Sequence, residues 1–292
     1  MNNIGYSIRD LEVLSGIKAH TIRIWEKRYH LLEPERTPTN IRLYNDDDLR
    51  RMLNVSILVR NGFKISKVAQ WDDEVINREV LDLAEKNAST SGYIDRLILY
   101  MVNFNNDKFV NLINGIIDEY GLEDAVAKVF FEFFVKVGVY WQVGSVFPAQ
   151  EHYVSNIIRN KIIAETDRLT STSKKRATIL FFLPDRELHE VSLLFYNYLA
   201  KKMGYETIYL GQYLPWNDLE KMKKQVNPDY IFTAFINAFP KEELEAYLQT
   251  LKQLFGDKKI FVTGWQLQLQ QPEIPRNVKV IMDYHDFKRY LK

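Results

Sequence analysis

Apolar and polar positions change their period twice along this 292-residue chain. The first 70 residues carry short helical patterns broken by turn residues. Ser7-Ile8-Arg9-Asp10 has the form of a helix N-cap with an acid three positions on. The helix it opens ends at Ser15-Gly16, and a second helix is expected over about 18–28. Two short helices about a glycine-containing turn form a helix-turn-helix, whose second member fits a DNA major groove. From that second helix Ile22 and Trp25 face inward, leaving His20, Thr21, Arg23, Lys27 and Arg28 for solvent or DNA. Residues 32–44 read as two short strands and a loop, a wing. Asp46-Asp47-Asp48 then gives an acidic helix start that complements the helix dipole, and Asn61-Gly62 gives a stop.

Beyond residue 75 the period becomes purely helical. Apolar residues recur three and four apart over 93–104, 106–120, 125–139 and 151–169, with breaks expected at 87–92 and 171–176. From Ala177 it changes again. Residues 178–183 are a nearly continuous apolar run, as expected of a strand buried on both faces. Strand-like runs at 205–210, 229–235, 259–263 and 278–281 alternate with helical stretches at 190–203, 216–225 and 241–255. That alternation means βαβ units and a parallel sheet. The expected fold is multidomain: a winged helix-turn-helix (1–75), a helical bundle (76–172) and an α/β Rossmann-like, doubly wound parallel sheet (173–292).

Composition narrows the chemistry. Apolar residues make up 46% and charged residues 26%, as in globular domains. No stretch reaches the roughly 18 apolar residues of a membrane span. Met1 to Tyr6 lacks the basic and apolar regions of a signal peptide, so a cytoplasmic location without membrane contact is expected. The net charge of +1 is uninformative, but residues 1–70 hold twelve Lys/Arg against eight Asp/Glu, which puts the basic excess where the helix-turn-helix lies. There is no cysteine, which excludes disulfides, thiolate metal sites and thiol redox sensing. His20, His30, His152, His189 and His285 are the only soft ligands apart from methionine. No phosphate-cradling glycine loop, Ser/His/Asp order or metalloprotease spacing is present, and an enzyme is not expected.

The segment from Tyr6 to about Val68 resembles the MerR family of winged helix-turn-helix regulators. The residues that carry the likeness are Thr21-Ile22-Arg23-Ile24-Trp25-Glu26, Leu31-Leu32-Glu33-Pro34-Glu35-Arg36, Arg42-Leu43-Tyr44, Asp48-Leu49-Arg50-Arg51 and Asn61-Gly62-Phe63. The resemblance implies binding to a double-stranded DNA operator as a homo-oligomer, a dimer or tetramer. It makes Thr21 and Arg23 groove contacts and Arg36, Arg42 and Tyr44 wing contacts. Lys18, His20, Lys27, Arg28 and Asn40 complete the candidate DNA-binding set. No heptad of 20 or more residues follows Trp71, so oligomerisation is expected to use the rest of the chain.

His189 lies in the loop after the first buried strand, and in doubly wound sheets ligands bind at the carboxyl ends of strands. A loop histidine is, on its own, most often merely solvated. Glu187-Leu188-His189-Glu190-Val191-Ser192, however, resembles the Asp/Glu-x-His-x-x-Gly motif of cobalamin-binding modules, a helical cap followed by a Rossmann-like domain. The resemblance implies that His189 ligates the cobalt of a cobalamin from below and that Glu187 orients it. Ser192 stands at the motif's glycine. Thr233 falls where the family has a small hydroxyl residue near the nucleotide tail, and Thr263-Gly264 where it has paired glycines. In the bundle, Trp141 followed after nine residues by Glu151-His152 is similar to the light-responsive cobalamin-dependent repressors of the CarH/LitR type. That likeness implies adenosylcobalamin, with Trp141 over its upper face and Glu151 and His152 at the adenosyl group. Gln142 stands where those photoreceptors have a histidine, so no stable bis-histidine photoproduct is expected. The alternative is a regulator whose cobalamin-like domain has lost the cofactor and senses another ligand or only mediates assembly.

Overall fold

Local capping signals set the first helices. The computed structural model describes residues 5–37, 39–86, 90–142, 146–169 and 176–291, without the side chains at 13, 46, 81–86 and 141–142. Helix α1 (Ile8–Ser15) opens on a reciprocal cap between Ser7 and Asp10 and closes on Gly16 at φ 71°. Helix α2 (Ala19–Tyr29) buries Ile22 and Trp25. Strands β1 (Glu35–Arg36) and β2 (Arg42–Leu43) pair antiparallel as the wing. The wing is tied to the chain's start by Tyr6 and Tyr44, which exchange backbone hydrogen bonds of 2.7 and 2.9 Å. Helix α3 (Asp46–Arg60) has a second reciprocal cap, Asn45 with Asp48. The short α4 (Ile65–Val68) and then α5 (Asp73–Lys86) follow.

The bundle helices are α6 (Thr90–Val102), α7 (Asn106–Ala125), α8 (Phe131–Gln142) and α9 (Pro148–Asp167). The break expected at 87–92 is shorter, because Thr90, Ser91 and Gly92 already belong to α6; residues 87–89 and 171–175 lie outside the described residues. Gly121, at φ 73° and ψ 159°, kinks α7 where the helical pattern was expected to stop. A π-helical turn, Val126–Phe130, then joins α7 to α8. Phe109 and Phe133, both fully buried, meet across this bundle with ring centroids 6.0 Å apart.

The chain packs as two compact units, residues 1–154 and 155–292. In the second, β3 (Thr178–Pro184), β4 (Glu206–Leu214), β5 (Tyr230–Ala234), β6 (Lys259–Thr263) and β7 (Val278–Val280) form one parallel sheet in the order β4-β3-β5-β6-β7. Helices α10 (Val191–Lys202), α11 (Trp216–Gln225), α12 (Lys241–Phe255), α13 (Trp265–Gln270) and α14 (Tyr284–Tyr290) intervene or follow. Every residue of α10 from 193 to 200 is buried, since the helix lies between the sheet and α14. Tyr196 packs on Phe232 and Phe287 with centroids 4.7 and 5.0 Å away. The chain runs outward from β3 in both directions, so the crevice beyond the carboxyl ends of β3 and β5 is the topological switch point where such sheets bind ligands. No helix among the described residues is long and apolar enough to cross a membrane.

Candidate functional site

In the winged helix-turn-helix, the proposed DNA reader of this chain, the basic face is built by α2. With Ile22 and Trp25 buried, His20, Arg23, Lys27 and Arg28 are exposed and Thr21 is half-buried. Lys18 precedes the helix and pairs with Glu12 at 3.0 Å, and the Glu12 carboxylate also accepts from the Ala19 N–H at 3.0 Å. Ile24, at 52% exposure, stands between these polar residues and offers an apolar contact of the kind thymine methyl groups take. On the wing, Arg36 Nη1 donates to Asn40 Oδ1 at 2.7 Å, and Asn40 turns the loop at φ 64°.

Tyr44 departs from expectation. Its side chain is fully buried and its hydroxyl donates to Glu26, so it cannot face DNA as a wing contact in this conformation. Burial, followed by that hydrogen bond, holds its pKa far above the ordinary phenol value. Arg42 is half-buried and donates to the same carboxylate at 2.9 Å. Glu26 therefore fastens the wing to α2, a role missed in the sequence. Its position four residues after Ile22, beside Trp25, marks the inward side of the helix and was the available signal.

In the second unit the β3–α10 loop presents His189 at the switch point. His189 Nδ1 lies 2.8 Å from Glu187 Oε1, and the imidazole side chain is 49% exposed. A carboxylate only accepts, so Nδ1 carries the proton and the lone pair sits on Nε2, the nitrogen suited to a metal. Glu187 is fully buried and also accepts from the backbone N–H groups of His189, Ile236 and Asn237 at 3.0, 2.6 and 2.6 Å. Burial raises its pKa, but the hydrogen bonds from His189, Asn237 and Ile236 outweigh it, and the carboxyl titrates below its ordinary value. Leu188 and Tyr213, at 57% and 53% exposure, leave an apolar rim beside the histidine. Tyr213 is held there by its N–H, which donates to the Glu187 carbonyl at 3.3 Å.

Glu190, the next residue, ties this loop down. Its buried carboxylate accepts from Arg159 of α9, from the Tyr209 hydroxyl at 2.7 Å and from Gln212 Nε2 at 3.1 Å. A side chain at Gly211 would put its Cβ 3.3 Å from Glu190 Oε1, at φ +76°. This cluster was not read from the sequence, because Glu190 meets partners 19 to 31 residues away.

The remaining candidates divide. Ser192 Oγ and Thr233 Oγ1 are buried without a hydrogen-bond partner, at the start of α10 and the end of β5. Thr263 is committed elsewhere: its hydroxyl donates to the Ile281 carbonyl at 2.9 Å inside the core. Gly264 answers to packing, since a Cβ there would lie 2.1 Å from the Phe235 carbonyl oxygen. In the first unit Glu151 and His152 form a 3.0 Å surface pair. The side chains of Trp141 and Gln142 lie outside the described residues.

The donor set fits a corrinoid approached from its lower face: an imidazole with fixed tautomer, a buried orienting carboxylate, an apolar rim and two orphaned hydroxyls.

Comparison with known proteins gives matching family models for two regions. Residues 6–74 match the MerR HTH family regulatory protein model, and residues 93–164 match the B12 binding domain model. The HTH-type transcriptional repressor CarH of Myxococcus xanthus is 24% identical over 254 residues, covering 85% of this chain and 84% of the relative. The HTH-type transcriptional repressor CarA of the same organism is 25% identical over 262 residues, covering 88% and 85%. These named relatives are transcriptional regulators, not enzymes. Among solved structures, the monomethylamine corrinoid protein of Methanosarcina barkeri shares the fold, with 11% identity and a TM-score of 0.50 over 70% of this chain and 99% of that one. The chain thus joins a MerR helix-turn-helix domain to a B12-binding domain and resembles, over most of its length, transcriptional repressors of the CarH/LitR type.

Proposed function

We propose that this DNA-binding regulator is a cytoplasmic repressor whose assembly and operator affinity are set by a cobalamin, adenosylcobalamin in particular, held at His189. The observation that carries the reading is the His189–Glu187 pair at the switch point of the sheet. Cobalamin, when bound, supplies a cobalt ion that accepts an imidazole nitrogen and, in its alkyl forms, a light-labile cobalt–carbon bond. His189 would offer Nε2 to it, and Glu187 would hold the ring and its proton. Trp141, Glu151 and His152 are further candidates by the resemblance alone. Control follows from linkage: a ligand that favours one assembly over another shifts the population by that difference in affinity.

The test is to incubate the full-length protein with adenosylcobalamin in the dark, then follow its absorption spectrum, size-exclusion profile and operator retardation before and after illumination. A stoichiometric corrin spectrum with a change of oligomer and of operator affinity is expected, and His189→Ala should abolish retention of the chromophore. The commitment of Thr263 and Gly264 to the protein's own packing favours the second reading, a sheet unit that has lost the cofactor. Operator binding with no corrin retained, and no effect of His189→Ala, would establish that alternative.

A further inference from the structure

Helix α3 of the reader, α5 after it and helices α6 and α7 of the bundle border a cleft of about 490 Å³ within the first unit, apart from every site described above. Its lining carries three cations, Arg50 from α3, Arg96 from α6 and Lys108 from α7, and no Asp or Glu. Arg50 pairs with Asp47 on its own helix at 3.0 Å. Arg96 and Lys108 have no carboxylate partner among the described residues, and Arg96 Nε is buried without an acceptor. Glu119, with Arg96 and Lys108, lines the neighbouring cleft, where it accepts the Tyr93 hydroxyl at 2.5 Å.

Two further observations define what would fit. Asn54, on α3, is 5% exposed; its Nδ2 donates to Asn77 Oδ1 at 2.6 Å, while its own Oδ1 is buried with no donor. Phe104 and Phe147 line the cleft with 46% and 45% exposure and rings 6.1 Å apart, an aromatic lip left open to solvent. A buried guanidinium nitrogen and a buried amide oxygen left unsatisfied are each costly, so both call for a partner. Arg96, Asn54 and the two rings line the same cleft.

We propose that this cleft binds a small aromatic carboxylate bearing a hydrogen-bond donor. The carboxylate meets Arg96 and Lys108, the donor meets Asn54 Oδ1 and the ring lies against Phe104 and Phe147. Because α3 belongs to the reader and α6 and α7 to the bundle, occupancy would couple the two within one unit. The inference is independent of the cobalamin reading and needs no corrinoid.

The probe is 4-hydroxybenzoate, titrated into the full-length protein at constant ionic strength and followed by calorimetry and melting temperature. Controls are 4-hydroxybenzamide, which lacks the charge, and acetate, which lacks the ring. Saturable binding is expected, at least about tenfold weaker for both controls and for Arg96→Gln and Lys108→Gln, because a charge-assisted hydrogen bond is lost in each variant and in the amide. Two variants are used so that misfolding of one, visible by circular dichroism, leaves the other decisive. Absence of saturable binding by about 10 mM, in the weakest affinity range, or equal binding by the amide or by either folded variant, overturns the proposal. Weakened operator binding in the variants without probe binding would assign these cations to DNA phosphates and overturn it equally.

Discussion

Glu187 shows how one side chain fixes a site. It is fully buried, yet it accepts four hydrogen bonds, two of them from His189. These outweigh the burial that raises its pKa, and the carboxyl stays ionised to lower pH than in the unfolded chain. The sign of the linkage follows: this stability is fully present above the unfolded value of about 4.3 and is lost as pH falls through the lower folded value. Glu187→Gln should remove that acid-limb contribution. At neutral pH it should cost about 1–3 kcal/mol, because a glutamine sets its NH₂ group against a backbone N–H. Urea unfolding between about pH 3 and 7 measures both, over the range in which carboxylates titrate. Parallel stability curves for the two proteins would mean that the carboxylate carries no such linkage.

Between elements, a buried charge ties α9 to the β3–α10 loop. Glu190 accepts from Arg159, Tyr209 and Gln212, and burial followed by the Glu190 hydrogen bond drives the Tyr209 pKa far above the ordinary phenol value. Removing one partner strands a buried charge. Arg159→Gln should therefore cost about 3 kcal/mol in chemical denaturation. Its cycle with Glu190→Gln should give a coupling of about 1–3 kcal/mol. Additive effects would reduce the pair to a packing contact. This link also marks where sequence reading stopped. The cap at Ser7 was legible because Asp10 stands three residues on, the start of α3 from its run of acids, and the buried strand β3 from its unbroken apolar run. The π-helical turn at Val126–Phe130 was not, since one added residue barely disturbs the helical period. β4 runs to Leu214, not 210, through register shifts against β3 and positive φ at Gly211 and Tyr213. At the site, local sequence exposed the His189 loop, and helical spacing marked Glu26 as inward-facing, whereas its pairing with Tyr44, 18 residues on, is a contact that no local pattern carries.

For the whole molecule, what matters is where the charge sits. A net charge of +1 predicts almost no long-range attraction to a polyanion, yet residues 1–70 have an excess of four positive charges and the rest an excess of three negative ones. DNA binding therefore rests on a local field, and the remainder of the chain opposes nonspecific adhesion. Each phosphate neutralised steepens the dependence of log K on log salt by about 0.9. Lys27 and Arg28 are exposed at the end of α2, away from its first turns, and we propose that they meet phosphates. For Arg23, exposed near the helix start, we propose a base-edge contact. Lys27→Gln combined with Arg28→Gln should flatten the salt slope by about 2 for operator and random duplex alike. Arg23→Ala should cost about 1–3 kcal/mol on the operator and narrow its advantage over random sequence. Fluorescence anisotropy at several salt concentrations separates the two classes. An unchanged slope in the double variant, or equal weakening of operator and random duplex by Arg23→Ala, would mean that α2 does not lie in the groove with its amino-terminal half against the bases.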